Sequence, residues 1–185
     1  MKSQDIYILL KLVCLQQGGQ PRASLGDLAD QYSARGLSAA LGVSKTEVNA
    51  SIRRSIDVGM AIKDRKSGYP KANKKALLEF VIHGLKYVFP VKPAEIVRGV
   101  PTAFSAPMVE DQLLSMGDYI YVWSYAEGRE KGQSVQPLFK SVPKAVLDDE
   151  RLYEYLALVD AIRLGNPREA NLAAKLFEQR LLSDG

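Results

Sequence analysis

The run IYILLKLVCL at residues 6–15, interrupted only by Lys11, most constrains what this chain can fold into. It has about half the ~20 apolar residues that a membrane-crossing helix needs. Residues 5–17 are strong helix formers that stop at Gly18-Gly19 and Pro21, so they predict a first helix. A helix that is apolar all round must be buried on more than one side. A first domain of about eighty residues, an ordinary domain size, can cover one side. The other side is expected to meet the second half of the chain or another subunit. The opening MKSQD sets Asp5 beside the run and offers no small-residue cleavage site, so it does not read as a signal peptide and a cytoplasmic location is expected.

With 185 residues, 46% apolar and 25% charged, the chain falls in the globular range and has room for one or two small domains, each with a core. Cys14 is the single cysteine, which excludes an internal disulfide and any cysteine-based metal cluster. Its apolar setting predicts a buried thiol. His83 is the single histidine, so a Ser-His-Asp triad has one available base and a multi-histidine metal site has none. Its neighbours in LLEFVIHGLKYVFP predict a hydrogen-bonded structural histidine. With no nucleophile beside a base, no metal set and no phosphate loop, the chain reads as a non-enzyme that needs no cofactor.

The net charge of +4 conceals an asymmetry. Through Lys75 there are thirteen Lys and Arg against six Asp and Glu, and from Ala76 onward twelve against fifteen. Residues 44–75 are densest, with nine basic against three acidic residues. Such a segment suits a polyanion such as DNA. A solvated basic face without a partner is the alternative.

Local signals organise that segment. Ser24 could cap a short amphipathic helix carrying Leu25, Leu28, Ala29 and Tyr32. Residues 34–41 form a further helix ending at Gly42, a residue suited to the left-handed cap. Ser44, with Glu47 three positions on, begins the next helix as a capping box. Helix, glycine, two residues and capped helix is the spacing of a helix-turn-helix. At about 100° per residue, Val48, Ile52, Ser55, Ile56 and Gly59 fall on one side of the helix that follows, and Thr46, Ala50, Arg53 and Arg54 on the other. Residues 61–65 can then extend, Lys66-Ser67-Gly68 can turn, and Tyr69-Pro70-Lys71 can return. A basic hairpin after a recognition helix is how a wing is built. Asn73 caps a helix to Tyr87 with Leu77, Phe80, Val81 and Leu85 inward.

Pro90 and Pro93 mark the expected boundary, giving a winged-helix domain over 1–89 and an α+β domain over 90–185 for oligomerisation, sensing or partner binding. IVRGVPTAFSAP is too rich in Pro and Gly for a long element. YIYVWSY reads as a strand with Tyr119, Tyr121, Trp123 and Tyr125 on one face, either a core face or a partner surface. AEGREKGQ reads as a polar turn and VQPLFKSVP as a second short strand. Asp148 or Asp149 caps a helix to Leu164, and Asn166 with Pro167 opens a last helix to about Leu182. That helical hairpin either packs on the strand or serves dimerisation or partner capture. The fold class expected is mostly α with a small β component: an N-terminal winged helix-turn-helix, then a small α+β domain ending in the hairpin.

The stretch YSARGLSAALGVSKTEVNASIRRSIDVGMAI resembles the helix-turn-helix and wing entry of bacterial winged-helix regulators of the broad MarR-like kind. NKKALLEFVIHGLKYVFP, RGVPTAFSAP and LYEYLALVDAIRLGNPREANLAAKLFEQRL resemble a small family of bacterial winged-helix proteins without an assigned activity, some of them linked to toxin-like nucleotidyltransferases. The resemblance covers almost the whole chain. It implies DNA binding through the helix of residues 44–54 and an antitoxin or autoregulator role. SLGDLADQY partly duplicates a helix-turn-helix start, so the first helix of the motif is either 25–32 or 34–41, and Gly42 favours the second.

A DNA-binding protein needs phosphate contacts for affinity and base-edge contacts for specificity. Arg53 can fork onto guanine, Asn49 can pair with adenine, and Ala50 or the Thr46 methyl can touch thymine. Lys45, Arg54, Lys66, Lys71, Lys74 and Lys75 suit phosphates, and Ser44 sets the start of the helix. Arg98, Thr102 and Ser105 could line a ligand or partner site, or their segment could simply be pinned against the strand. The expected partners are double-stranded DNA, a second copy in a two-fold dimer and a toxin-like protein, with no membrane. The expected function is a sequence-specific transcriptional regulator. The alternative is an antitoxin-like interaction module that masks an enzyme, with DNA binding secondary.

Overall fold

The structure, a computed structural model, describes residues 1–18, 25–111 and 120–183, with the side chains of residues 25–28 left aside. The Ser24 cap, the Gly19 and Pro21 stop signals, the side chains of Leu25 and Leu28, and Tyr119 lie outside the described residues. The chain is mostly helical with a small sheet component. It divides into two compact units, one of Met1–Leu77 with Leu182–Gly185, the other of Leu78–Leu181.

In the first unit, α1 (Ser3–Gln17) is followed by α2 (Leu25–Tyr32), α3 (Ala34–Leu41) and α4 (Lys45–Asp57), then β1 (Ala61–Lys63) and β2 (Pro70–Ala72). From Asp5 to Cys14 only Lys11 escapes full burial. This burial is met within the single chain, without a second subunit. α1 is tied to its unit by polar bonds as well as packing. The Tyr7 hydroxyl donates to the Leu41 carbonyl at 3.1 Å. The Gln16 amide takes the Ala72 N–H at 2.9 Å and donates back to the Ala72 carbonyl at 3.4 Å.

α3 and α4 form as their caps dictate. Ser33 Oγ accepts from the Gly36 N–H at 2.9 Å, and Gly42 takes φ 64°, where a Cβ would be strained. Ser44 Oγ accepts from the Glu47 N–H at 3.3 Å. The reciprocal half of the expected capping box is not formed, because ion pairs draw the Glu47 carboxylate toward Arg54 and Lys2. The inward face of α4 also differs from the expected one. Val48, Ser51 and Ser55 are buried, while Ile56 is 40% exposed. The helix is rotated so that its small residues meet α1 and α3, which lets the helices approach closely.

β1 and β2 pair antiparallel, with Ile62 opposite Lys71. At the turn Asp64 accepts from the Ser67 hydroxyl at 2.7 Å and its N–H at 2.9 Å, and Gly68 adopts φ 74°. These bonds and Lys71 hold the Asp64 carboxyl well below the usual carboxylate range. Tyr69, just after the turn, stacks on Tyr32 with ring centroids 5.1 Å apart, which anchors the hairpin.

α5 (Lys74–His83) spans the division between the units and is capped by Asn73, whose Oδ1 accepts the Ala76 N–H at 3.2 Å. The division thus precedes the Pro90 boundary expected from composition. The physical reason is that α6 (Leu85–Val88) and Phe89 belong with the second unit, where Arg163 Nε donates to the Phe89 carbonyl at 3.0 Å. His83 is not a core histidine: its side chain is 72% exposed and 3.6 Å from Glu79.

The second unit is built on β3 (Ile96–Pro101), β4 (Tyr121–Ser124) and β5 (Glu130–Ser134). β3 pairs antiparallel with both others, and β4 with β5 runs parallel, which closes a three-stranded barrel. Three expectations are corrected here. IVRGVP forms a six-residue strand, and AEGREKGQ supplies most of β5 rather than only a turn, while VQPLF forms no strand. Closure around three strands brings backbones together too tightly for side chains. A Cβ at Gly99 would overlap the Trp123 carbonyl oxygen, and one at Gly132 the Ile120 carbonyl oxygen. Gly99→Ala is therefore expected to cost about 1–3 kcal/mol by overpacking, read as a lower midpoint in urea. An unchanged midpoint would show that the barrel opens freely.

α7 (Val142–Ala145) and α8 (Glu150–Leu164) pack on the barrel, and α9 (Pro167–Leu182) packs on α8. Asp149 caps α8 through the Leu152 N–H at 3.0 Å, and Asn166 caps α9 through the Glu169 N–H at 3.0 Å. Tyr155 and Phe177 meet edge to face at 5.7 Å, and Arg180 pairs with Glu154 at 2.7 Å, joining the last two helices.

Candidate functional site

In the first unit the exposed side of α4 and the β1–β2 hairpin enclose a groove of about 370 Å³, lined by Asn49, Ile52, Arg53, Ile56 and Lys63 with Gly68 and Pro70. Asn49 and Arg53, one helical turn apart, lie on its helical wall. Lys63 stands on its hairpin wall and was not among the expected residues. Its position in the strand alternation, opposite Pro70, puts it there, and composition alone carried no sign of it. Ile52 and Ile56, expected inward, line the groove because α4 buries Ser51 beside the expected Val48 and Ser55.

Lys45, Thr46, Asn49 and Arg53 are exposed on α4, and Ala50 is half-buried beside them. Among the described residues Lys45, Arg53, Lys63 and Lys66 carry no ion pair, so their charges face solvent. Lys66 lies at the exposed hairpin turn. Lys71 is partly committed, 3.2 Å from Asp64. Lys74 and Lys75 occupy the first turn of α5, a placement the helix dipole disfavours, and stand outside the groove lining.

Arg54 is the main correction. Expected at phosphate, its guanidinium turns back to α1, donating to Asp5 at 2.7 Å and 3.1 Å and to Glu47 at 2.6 Å. Asp5 also accepts the Lys2 N–H at 2.7 Å. Burial pushes the Asp5 carboxyl up, but the Arg54 and Lys2 hydrogen bonds outweigh it and leave its pKa below the ordinary value. Arg54 therefore locks α4 onto α1 and presents its neighbour Arg53 outward.

The second candidate set does not converge on a site. Arg98 is exposed. Ser105 Oγ accepts the Tyr121 N–H at 3.0 Å, and the fully buried Thr102 donates to Asp160 Oδ2 at 3.0 Å. RGVPTAFSAP is pinned against the strand. Asp160, missed in the sequence, is the centre of a buried network: Trp123 Nε1 donates to it at 2.6 Å and Arg163 at 2.7 Å. The available signal was a lone carboxylate amid Leu158, Val159, Ala161 and Ile162. Burial pushes the Asp160 carboxyl up against the pull of Arg163, Trp123 and Thr102. Trp123 is thus a core residue of the aromatic strand, 1% exposed.

Among the described residues no helix is long and apolar enough to cross a membrane. Comparison with protein-family models, with curated proteins and with solved structures found no match to this chain.

Proposed function

We propose that the chain is a sequence-reading DNA-binding regulator in which α3 and α4 act as a helix-turn-helix and β1–β2 as a wing. The observation that carries this reading is the groove between α4 and the hairpin, where Asn49 and Arg53 face Lys63 across a space open to solvent. α4 enters the major groove, Arg53 forks onto guanine and Asn49 onto adenine. Lys45, Lys63 and Lys66 then meet phosphates. A two-fold dimer of this chain would read a palindrome with half-sites about one helical turn apart.

The test is binding to the DNA upstream of its own gene against a scrambled duplex of equal length, at two salt concentrations. Arg53→Ala and Asn49→Ala are each expected to lose about 1–3 kcal/mol of discrimination. Lys63→Ala should weaken both duplexes alike and flatten the log–log salt slope by about 0.9. Equal affinity for both duplexes, unchanged in Asn49→Ala and Arg53→Ala, would sink the proposal.

One observation favours a second reading. Ile56, Val58 and Ile62 are exposed around the same hairpin, which suits an antitoxin-like module that masks a toxin-like enzyme. Loss of DNA discrimination in Arg53→Ala with intact enzyme capture would separate the two roles.

A further inference from the structure

The second unit holds a groove that the DNA-binding proposal leaves unused. It measures about 460 Å³ and is lined by Pro90, Val91, Pro137 and Pro143, with Lys92 on one wall and Lys140 on the other. This volume falls within the ~300–1,000 Å³ of ordinary small-ligand sites. The lysines are exposed, and among the described residues neither carries an ion pair.

One side chain ties the two wall-bearing segments together. Arg163 donates through Nε to the Phe89 carbonyl at 3.0 Å, before one wall, and through Nη1 to the Gln136 carbonyl, at a longer 3.4 Å, in the other. The same guanidinium is neutralised by Asp160, which Trp123 and Thr102 hold in place. An apolar core of equal volume would be no less stable than such a buried ion pair. What the pair adds here is a fixed spacing between two proline-bearing segments. A site with walls already fixed has little ordering cost to meet on binding.

We propose that this groove binds a small organic anion with an aliphatic body. Its carboxylate sits between Lys92 and Lys140, and its hydrocarbon lies on the pyrrolidine rings and Val91. The body is aliphatic because, among the described residues, no aromatic ring lines the groove. Two lysines complement one carboxylate and fall short of the charge density that a nucleic acid strand requires.

The test follows the methyl resonances of Val91 and Val135 during titration with cyclohexanecarboxylate, and separately with its neutral amide. A probe of about nine heavy atoms is expected to saturate with a dissociation constant of about 1 mM. The amide should bind about tenfold more weakly or worse. Lys92→Ala with Lys140→Ala should weaken the acid to the level of the amide and leave the amide unchanged, since both positions are exposed and spare the fold. Lys92→Arg with Lys140→Arg should restore the preference. Shifts that do not saturate, or equal binding of acid and amide, would overturn the proposal. None of these readouts depends on DNA, so failure here leaves the DNA-binding proposal standing, and the reverse.

Discussion

Asp160→Ala is expected to destabilise the second unit by about 3–5 kcal/mol, the cost of breaking a buried ion pair from one side. The carboxylate is 1% exposed and the Arg163 side chain 4%, so neither partner can rehydrate in place. The substitution strands the guanidinium charge and also leaves the Trp123 N–H and the Thr102 hydroxyl without their acceptor. Each unpaired buried donor costs roughly 1–3 kcal/mol, partly the same energy counted from the other side. Asp160→Asn keeps an oxygen for Trp123 but not the negative charge for Arg163, so it should fall between wild type and alanine. Trp123 is the only tryptophan, and its fluorescence during urea unfolding reports this unit directly. An alanine variant within about 1 kcal/mol of wild type would mean that the network is peripheral to the core's stability.

Arg54→Ala carries the second large effect, about 3 kcal/mol at neutral pH. It removes the guanidinium and leaves the Asp5 carboxylate, 0% exposed, with the Lys2 N–H as its remaining partner among those described above. Asp5→Ala should cost less, because the freed arginine side chain is 29% exposed and can turn to water. The pH dependence has a definite sign. In the wild type the folded pKa of Asp5 lies below its ordinary value, so the pairing stabilises fully above about pH 4 and is lost as the pH falls through that lowered value. In Arg54→Ala burial loses its strongest opponent and the carboxyl moves up relative to the wild type, so acid relieves the variant. The stability gap between the two proteins should therefore shrink as the pH falls toward about 3. A gap independent of pH would mean that Arg54 acts through its packing rather than its charge. DNA affinity should fall in Arg54→Ala only through loss of folded protein, in contrast to Arg53→Ala, which leaves stability intact.

Much of the helical layout was legible because caps are local. Ser44, Asn73, Asp149 and Asn166 each bond an N–H two or three residues on, an interaction that depends on nothing distant. The hairpin was legible for the same reason, through Ser67 and Gly68, although Asp64, expected in the strand, joins the turn. Within the groove, Asn49 and Arg53 could be placed from helical spacing alone. The orientation of α4 could not. Val48 and Ser55 lie inward as helical periodicity puts them, but the approach of neighbouring helices buried Ser51 as well and left the more apolar Ile52 and Ile56 outside.

The barrel shows the same limit. β5 is polar because it packs one small face, Gly132, inward and turns Glu130 and Lys131 to solvent. Its partner β3 is far away in sequence, and β4, though close, pairs with it in parallel rather than as a hairpin, so no local pattern announces either pairing.

By itself the sequence determined where most helices start and stop, the tight turn of the basic hairpin, and the concentration of positive charge in residues 44–75. Those follow from side chains acting within a few residues and from composition. Only the tertiary structure decided that Arg54 serves α1 while Arg53 and Lys63 face an open groove, and that Asp160 is buried with Arg163 at the centre of a second unit. The reason is that burial and charge pairing are settled between segments far apart in the chain, where the cost of desolvating a charge depends on which neighbour arrives to meet it.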